Sequence, residues 1–330
     1  MGKSLEGKVA IVTGSGQGIG KGIAIGLARE GAKVITNNRK PGSGSLTRYK
    51  KEEMPEEDWN QMIALAGDAA DTAEIIKAEG GEAMPFFGDV SVPANAEACV
   101  KLAIDTWGRV DIIVNNAAGM GTGSILSLTE KDWDYITVSR AKGAFNMMHY
   151  AVPYMIEQKF GRIFNCSSDA WTGLPDNDAY TTSNAGVVGL TWAAAKELWR
   201  YGITVNAYCP QGASPAHAVD YNAMLRNVKA ITGHDPDPRL LAVVEADHGD
   251  PVNLGPIIAY LATEDAGYIS GEVFGIKSSG KVDRYSYPQI VGHLERPFGD
   301  PLWDVEELGK VFKEQVMGED YVSHASKRMW

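Results

Sequence analysis

Residues 9–29, VAIVTGSGQGIGKGIAIGLAR, constrain this chain more than any other stretch. Residues 9–13 are short, apolar, mostly β-branched and uncharged, the composition of a strand buried on both faces of a parallel sheet. Ile19, Ile23 and Leu27 then recur every four residues and lay an apolar stripe along one side of a helix. Between strand and helix stand Gly14, Gly18 and Gly20. One glycine lets the chain reverse, and the others let a diphosphate and the neighbouring strand approach the backbone closely. The first turn of such a helix has unpaired N–H groups and the positive end of the helix dipole, so it favours an anion. Strand, turn and helix open a βαβ unit built for a phosphate-bearing ligand.

The same alternation continues down the chain. Residues 33–36, 83–87, 111–114, 162–167, 204–209 and 273–276 read as further strands, separated by helical segments. The fold class expected is α/β: a Rossmann-type doubly wound parallel sheet in a single domain, residues 1–280, with an inserted loop after strand 2 and a C-terminal extension, residues 281–330. Residues 41–67 turn polar and charge-dense and read as that surface loop, with a helical turn around Trp59 and Met62. Ser91 is placed to cap the helix that runs to Trp107, and Thr129 with Asp132 resembles a capping box opening a long helix through Lys159. Residues 180–199 form a helix with a small-residue face, suited to close packing inside the molecule or across a subunit boundary. Residues 211–249 hold few long periodic segments and read as a mobile cover over a substrate. In the extension, Val305, Leu308, Val311 and Phe312 share a helical face that should dock on the core or on a neighbouring subunit near the mouth of the site.

Composition narrows the function. Asp and Glu number 42 against 31 Lys and Arg, which argues against nucleic acid or an anionic membrane as partner. Cys99, Cys166 and Cys209 lie far apart and read as buried thiols in a reducing compartment. The six histidines show no helical metal-ligand spacing, so no metal is expected. The opening MGKSLEGK has no apolar core and no window reaches membrane-spanning length, so a soluble, cytoplasmic protein is expected.

The second strand ends in Asn37, Asn38, Arg39 and Lys40. An acidic side chain at this tip would hold an adenosine 2′-hydroxyl and repel a 2′-phosphate. Here the acid is missing and two cations stand in its place, which favours NADP over NAD. Asp89 is placed to meet an adenine amino group, and the run Asn115, Asn116, Ala117, Ala118, Gly119 reads as the cofactor's floor.

These residues resemble the short-chain dehydrogenase/reductase superfamily over nearly the whole chain. Thr13-Gly14-x-x-x-Gly18-Ile19-Gly20 is similar to its cofactor motif, Asn115-Asn116-Ala117 to its central motif, and Ser168 with Tyr180 to its catalytic pair. The loop after the second strand, the GEVFGIKSSGKV ending and the tail look most like the (3R)-hydroxyacyl-CoA dehydrogenase module of the peroxisomal multifunctional enzyme (17β-hydroxysteroid dehydrogenase type 4-like). The resemblance implies a NAD(P)-dependent oxidoreductase that interconverts a secondary alcohol and a ketone, on a hydroxyacyl-CoA or steroid-like substrate, as a homodimer or homotetramer. It implies cofactor contacts from Gly14, Ser15, Gln17, Gly18, Ile19, Gly20, Asn38, Arg39, Asp89, Val90, Asn116, Ala117, Ala118, Tyr180, Asn184, Pro210 and Gly212.

The chain departs from that pattern where the chemistry is done. The family's Tyr-x-x-x-Lys is Tyr180-Thr181-Thr182-Ser183-Asn184 here, Ala118 stands where glycine is usual, and Arg140 takes the place of a relay asparagine. A free tyrosine titrates near pH ~10, so as a base it needs a nearby positive charge. Asn184 keeps hydrogen bonding and loses that charge, whereas Arg140 at ~7 Å and an effective dielectric of ~20 would supply roughly 2.4 kcal/mol. Tyr180, Ser168, Asn184 and Arg140 are therefore the expected catalytic group, with Ser167 an alternative to Ser168. Trp171, Met120 and Met148 suggest an apolar pocket wall. Two other readings remain open: a cofactor-binding but redox-silent subunit of a hetero-oligomer, and a non-redox lyase or hydratase that uses Tyr180 as acid and base.

Overall fold

A computed structural model of the chain describes residues 3–42, 50–296, 303–318, 321 and 323. The apolar run at the start forms β1 (Val9–Val12), buried at every position, and the glycine turn leads into α1 (Gly18–Arg29). There follow β2 (Lys33–Asn38), α2 (Glu56–Ala64), α3 (Ala69–Ala78), β3 (Ala83–Phe87), α4 (Pro93–Trp107) and β4 (Ile112–Asn115). The next elements are α5 (Glu130–Thr137), α6 (Gly143–Gln158), β5 (Gly161–Cys166), α7 (Asp178–Leu198) and β6 (Ile203–Gln211). Then come α8 (Pro215–Thr232), α9 (Pro238–Asp247), α10 (Gly255–Leu261), β7 (Val273–Lys277) and β8 (Val282–Arg284).

The strands form one sheet in the order β3-β2-β1-β4-β5-β6-β7-β8. β1 to β7 pair in parallel, β1 lying between β2 and β4, and this central position explains why its residues show no polar alternation. Chain order reverses direction across β1 and β4, and in open α/β sheets the crevice at such a point, outside the carboxyl ends of the strands, takes the ligand. Helices cover both faces. Ile23 and Leu27 of α1 and Ile258 of α10 pack on one. Val100 of α4, Met147 and Ala151 of α6 and Leu198 of α7 pack on the other.

The fold corrects the sequence reading in several places. The helical turn expected around Trp59 and Met62 is present and longer, as α2, which packs through fully buried Met62, while Asp58 accepts a bidentate ion pair from Arg226 of α8 and a bond from Asn222. Residues 43–49 of that insertion lie outside the described residues. Residues 211–249, expected to be irregular, contain the helices α8 and α9, capped by Ser214 and Asp237. Ser91 does not cap α4, whose N-cap is Val92; it donates instead to Asp89 at 2.7 Å. Thr129 does cap α5, accepting from the N–H of Asp132 at 3.2 Å. The long helix after it is split by a π-helical turn, Val138–Lys142. The sheet is not parallel throughout, because β8 adds to β7 antiparallel, pairing Val282 with Ile276 and Arg284 with Phe274.

The chain divides into two compact units, Met1–Tyr285 and Ser286–Trp330. In the second, α11 (Val305–Phe312) opens on a capping box between Asp304 and Glu307. Glu307 also takes a 2.6 Å bond from Arg296, whose guanidinium stacks over Trp303. Pro297 and Pro301 lie outside the described residues.

Candidate active site

A cleft of 360 Å³ opens along the carboxyl ends of the strands. Its floor is tied together by side chains at the strand ends. Thr13 accepts from the N–H groups of Asn116 and Ala117, each at 3.0 Å, and Asn116 donates back to the carbonyl of Gly14 at 3.2 Å. Gly14, at φ +63°, leaves no room for a side chain, since a Cβ there would stand 2.8 Å from Ala117 Cα. A Cβ on Gly20 would strike the Gly14 carbonyl oxygen. The side chain of Gln17, the N-cap of α1, makes no capping bond to its first turn. At the far end, Asn37 donates to the carbonyls of Phe86 and Gly88, which locks the tips of β2 and β3 together. Asn38 beside it is buried, and its Oδ1 has no partner among the described residues. Arg39 lies exposed on the rim, its guanidinium 5.7 Å from the ring of Tyr135. One oxygen of Asp89 is held by Ser91.

The other end of the cleft gathers Arg140, Cys166, Ser167, Ser168 and Tyr180. The π-helical turn swings Arg140 inward, where it is 5 % exposed; such turns recur at functional sites. Its Nη1 donates to the Cys166 carbonyl at 2.8 Å, its guanidinium carbon is 5.2 Å from the centre of the Tyr180 ring, and its Nε has no partner among the described residues. Burial works against this charge, but the Tyr180 phenol and Cys166 outweigh it, so the Arg140 pKa is held above its ordinary value. Burial drives the Cys166 thiol pKa up, against the pull of Arg140, and keeps it protonated. The two serines differ. Ser167 donates its proton to the Asn184 carbonyl at 3.2 Å. Ser168 accepts from the N–H of Ala170 at 3.3 Å, which leaves its own proton to give.

Of the residues expected at the site, Gly14, Gln17, Gly18, Ile19, Asn38, Arg39, Asp89, Val90, Asn116, Ala117, Ala118, Arg140, Ser168, Tyr180, Pro210 and Gly212 line one cleft. Ser15, Gly20 and Asn184 are not on its wall. Ser15 accepts from the N–H of Asn37, and Asn184, wholly buried, turns its amide back to the Tyr180 carbonyl at 2.8 Å. Met120 lines the cleft; Met148 lies in the core behind it, and Trp171 packs edge-on against Trp192 and Tyr285. Sequence reasoning missed His217 and His248, which stack with ring centres 3.8 Å apart at the cleft wall. Burial, with the neighbouring His248, pushes the His217 pKa down to about 4. Their separation in sequence gave no signal of the pairing.

The profile of the short chain dehydrogenases matches residues 8–78 and 57–225. The chain belongs to the short-chain dehydrogenase family. Hydroxyacyl-CoA dehydrogenase ChsB1 of Mycobacterium tuberculosis is 30% identical over 334 aligned residues, covering 96% of this chain and 90% of that protein. The 3-oxoacyl-acyl-carrier-protein reductase FabG of Staphylococcus aureus is 31% identical over 270 residues, covering 82% of this chain and 96% of the reductase. The crystal structure of a short chain dehydrogenase from Mycobacterium avium superposes with a TM-score of 0.71 at 27% identity, over 94% of this chain and 95% of that one. As a family member the chain is an oxidoreductase of secondary alcohols or ketones, and the family uses nicotinamide dinucleotides. Its cleft fits such a cofactor. The glycine turn tolerates no side chain, the Gln17 N-cap of α1 makes no side-chain capping bond, and the buried acceptor of Asn38 has no donor among the described residues. Among the described residues no helix is long and apolar enough to cross a membrane.

Proposed function

We propose that this chain is a reductase or dehydrogenase of 3-oxoacyl or 3-hydroxyacyl thioesters that prefers NADP, with Arg140 in the role that lysine plays elsewhere in its family. The observation that carries this reading is the buried guanidinium facing the Tyr180 ring at 5.2 Å. When bound, the nicotinamide supplies or accepts the hydride. Tyr180 exchanges the proton with the substrate oxygen, and Ser168, held by the bond it accepts from the Ala170 N–H, donates to that oxygen and orients it. Arg140 stabilises negative charge as it grows on the phenol. A guanidinium does not release its proton, so Tyr180 is reprotonated from the open cleft and not through Arg140.

The thioester assignment draws on two relatives whose names specify an acyl-CoA and an acyl-carrier-protein substrate. The NADP preference rests on Arg39 at the rim, preceded at the tip of β2 by Asn37 and Asn38 where an acid would repel a 2′-phosphate. Exposed Phe145 and Tyr154 on α6, and Gly186 and Gly189 on α7 with open space over their Cα atoms, support a homo-oligomer built on these helices. Asn184, turned away from the cleft, favours a second reading, a redox-silent subunit of a hetero-oligomer. Absorbance at the nicotinamide band, followed with acetoacetyl-CoA and either NADPH or NADH, separates the two. Steady oxidation that is faster with NADPH is expected. Tight nucleotide binding with no thioester-dependent oxidation would overturn the reductase reading in favour of the silent subunit.

A further inference from the structure

Ser168 opens the short 3-10 turn Asp169–Thr172, and the hold on that turn comes from far along the chain. The Asp169 carboxylate is gripped on both oxygens. Tyr285 donates its hydroxyl to Oδ1 at 2.6 Å, and Gln211, at the end of β6, donates Nε2 to Oδ2 at 3.0 Å. Tyr285 follows directly on β8, whose antiparallel pairing with β7 sets where its ring stands. That ring also packs edge-on against Trp171, in the same turn, at 5.6 Å between centres. Trp171 packs in turn on Trp192 of α7. The turn is therefore fixed at two points, a charged one at Asp169 and an apolar one at Trp171, and Tyr285 takes part in both. Burial and the Asp169 carboxylate raise the Tyr285 pKa, so it remains a donor across the working range.

We infer that Tyr285, delivered by β8, is a positioning residue that acts through Asp169 to hold the Ser168 hydroxyl at the reacting oxygen. The inference rests on the role given to Ser168 above. A hydroxyl that orients a substrate oxygen must be held within a few tenths of an ångström, and a serine on a short turn needs its supports locked by partners of their own. β8 supplies that support from outside the parallel sheet.

The test uses the full chain with acetoacetyl-CoA and NADPH. Tyr285→Phe keeps the ring against Trp171 and removes only the hydroxyl. It should lower kcat by about tenfold with the KM for NADPH within about twofold, and this loss should vanish in a Ser168→Ala background, since the two residues act as one unit. An unchanged kcat, or the same loss with and without Ser168, would overturn the inference. Asp169→Asn, which keeps an acceptor for Tyr285, should recover most of the activity that Asp169→Ala loses. If Ser168→Ala itself turns over normally, the role of Ser168 fails and this inference with it. Amide exchange gives a readout independent of turnover. In Tyr285→Phe the amides of Asp169 to Thr172 should exchange about tenfold faster while those of α7 do not change. Unchanged exchange would refute the latch even if the wild-type protein reduces no thioester.

Discussion

A guanidinium buried as deeply as that of Arg140 needs its charge answered, and here a carbonyl answers it on one edge and a phenol ring on its face. Removing it should leave nucleotide binding nearly intact, because the charge acts on Tyr180. In steady-state assays Arg140→Ala should cost about two orders of magnitude in kcat with the dissociation constant for NADPH within about threefold, and Arg140→Lys should keep an intermediate rate. Equal losses in binding and turnover would mean that Arg140 only holds the fold. His217 makes a different prediction. Its folded pKa of about 4 lies below the usual ~6.5. Between those values the unfolded chain binds more protons than the folded one, so stability rises with pH across the window and is lost on acidification. His217→Phe, which keeps a ring in the stack, should flatten the fall in melting temperature between pH ~6.5 and ~4.5. At this scale the sequence was readable where backbone geometry forbids a side chain, as at Gly14 and Gly20. It was silent on orientation. Asn184 sits one helical turn after Tyr180, yet nothing in the residue names says that its amide turns back along the helix. Ser167 and Ser168 were likewise separable only by the partner each hydroxyl finds.

Among the elements, α2 and α8 are bound by a carboxylate that is almost entirely buried and a guanidinium that is half exposed. The hydrogen bond from Arg226 outweighs burial and holds the Asp58 pKa below the usual carboxylate value. Its contribution is present above the unfolded pKa and disappears as pH falls through the depressed one. Arg226→Met should therefore destabilise by about 1–3 kcal/mol at neutral pH, the cost of leaving Asp58 buried and only partly satisfied. That loss should shrink under acid, as denaturant melts at several pH values would show. An unchanged midpoint would mean that α2 is held by Met62 alone. α8 and α9 escaped the periodicity argument because their apolar residues are interleaved with His, Asn, Lys and Arg at no single spacing. The π-helical turn escaped it because one wide turn scarcely disturbs the pattern of a long helix. Strands of the parallel sheet were the easiest to find, since burial on both faces leaves runs with no polar interruption.

For the molecule as a whole, the doubly wound order of seven parallel strands followed from the alternation of apolar runs and helical stripes. The eighth did not, because Val282, Asp283 and Arg284 are all exposed and carry no apolar pattern. If the subunits meet through α6 and α7, Phe145→Glu should shift sedimentation toward the monomer with little change in nucleotide affinity. Gly189→Leu, whose added Cβ meets nothing in the single chain, should do the same. A mass unchanged by both substitutions would rule out that face. The last strand bears on this choice. To a foreign strand approaching the β7 side, the sheet offers a hydrated row three residues long bearing an acid and a base, a poor template for continued pairing. The chain thus ends its own sheet on that side in a form that discourages a further strand, which guards it against runaway stacking.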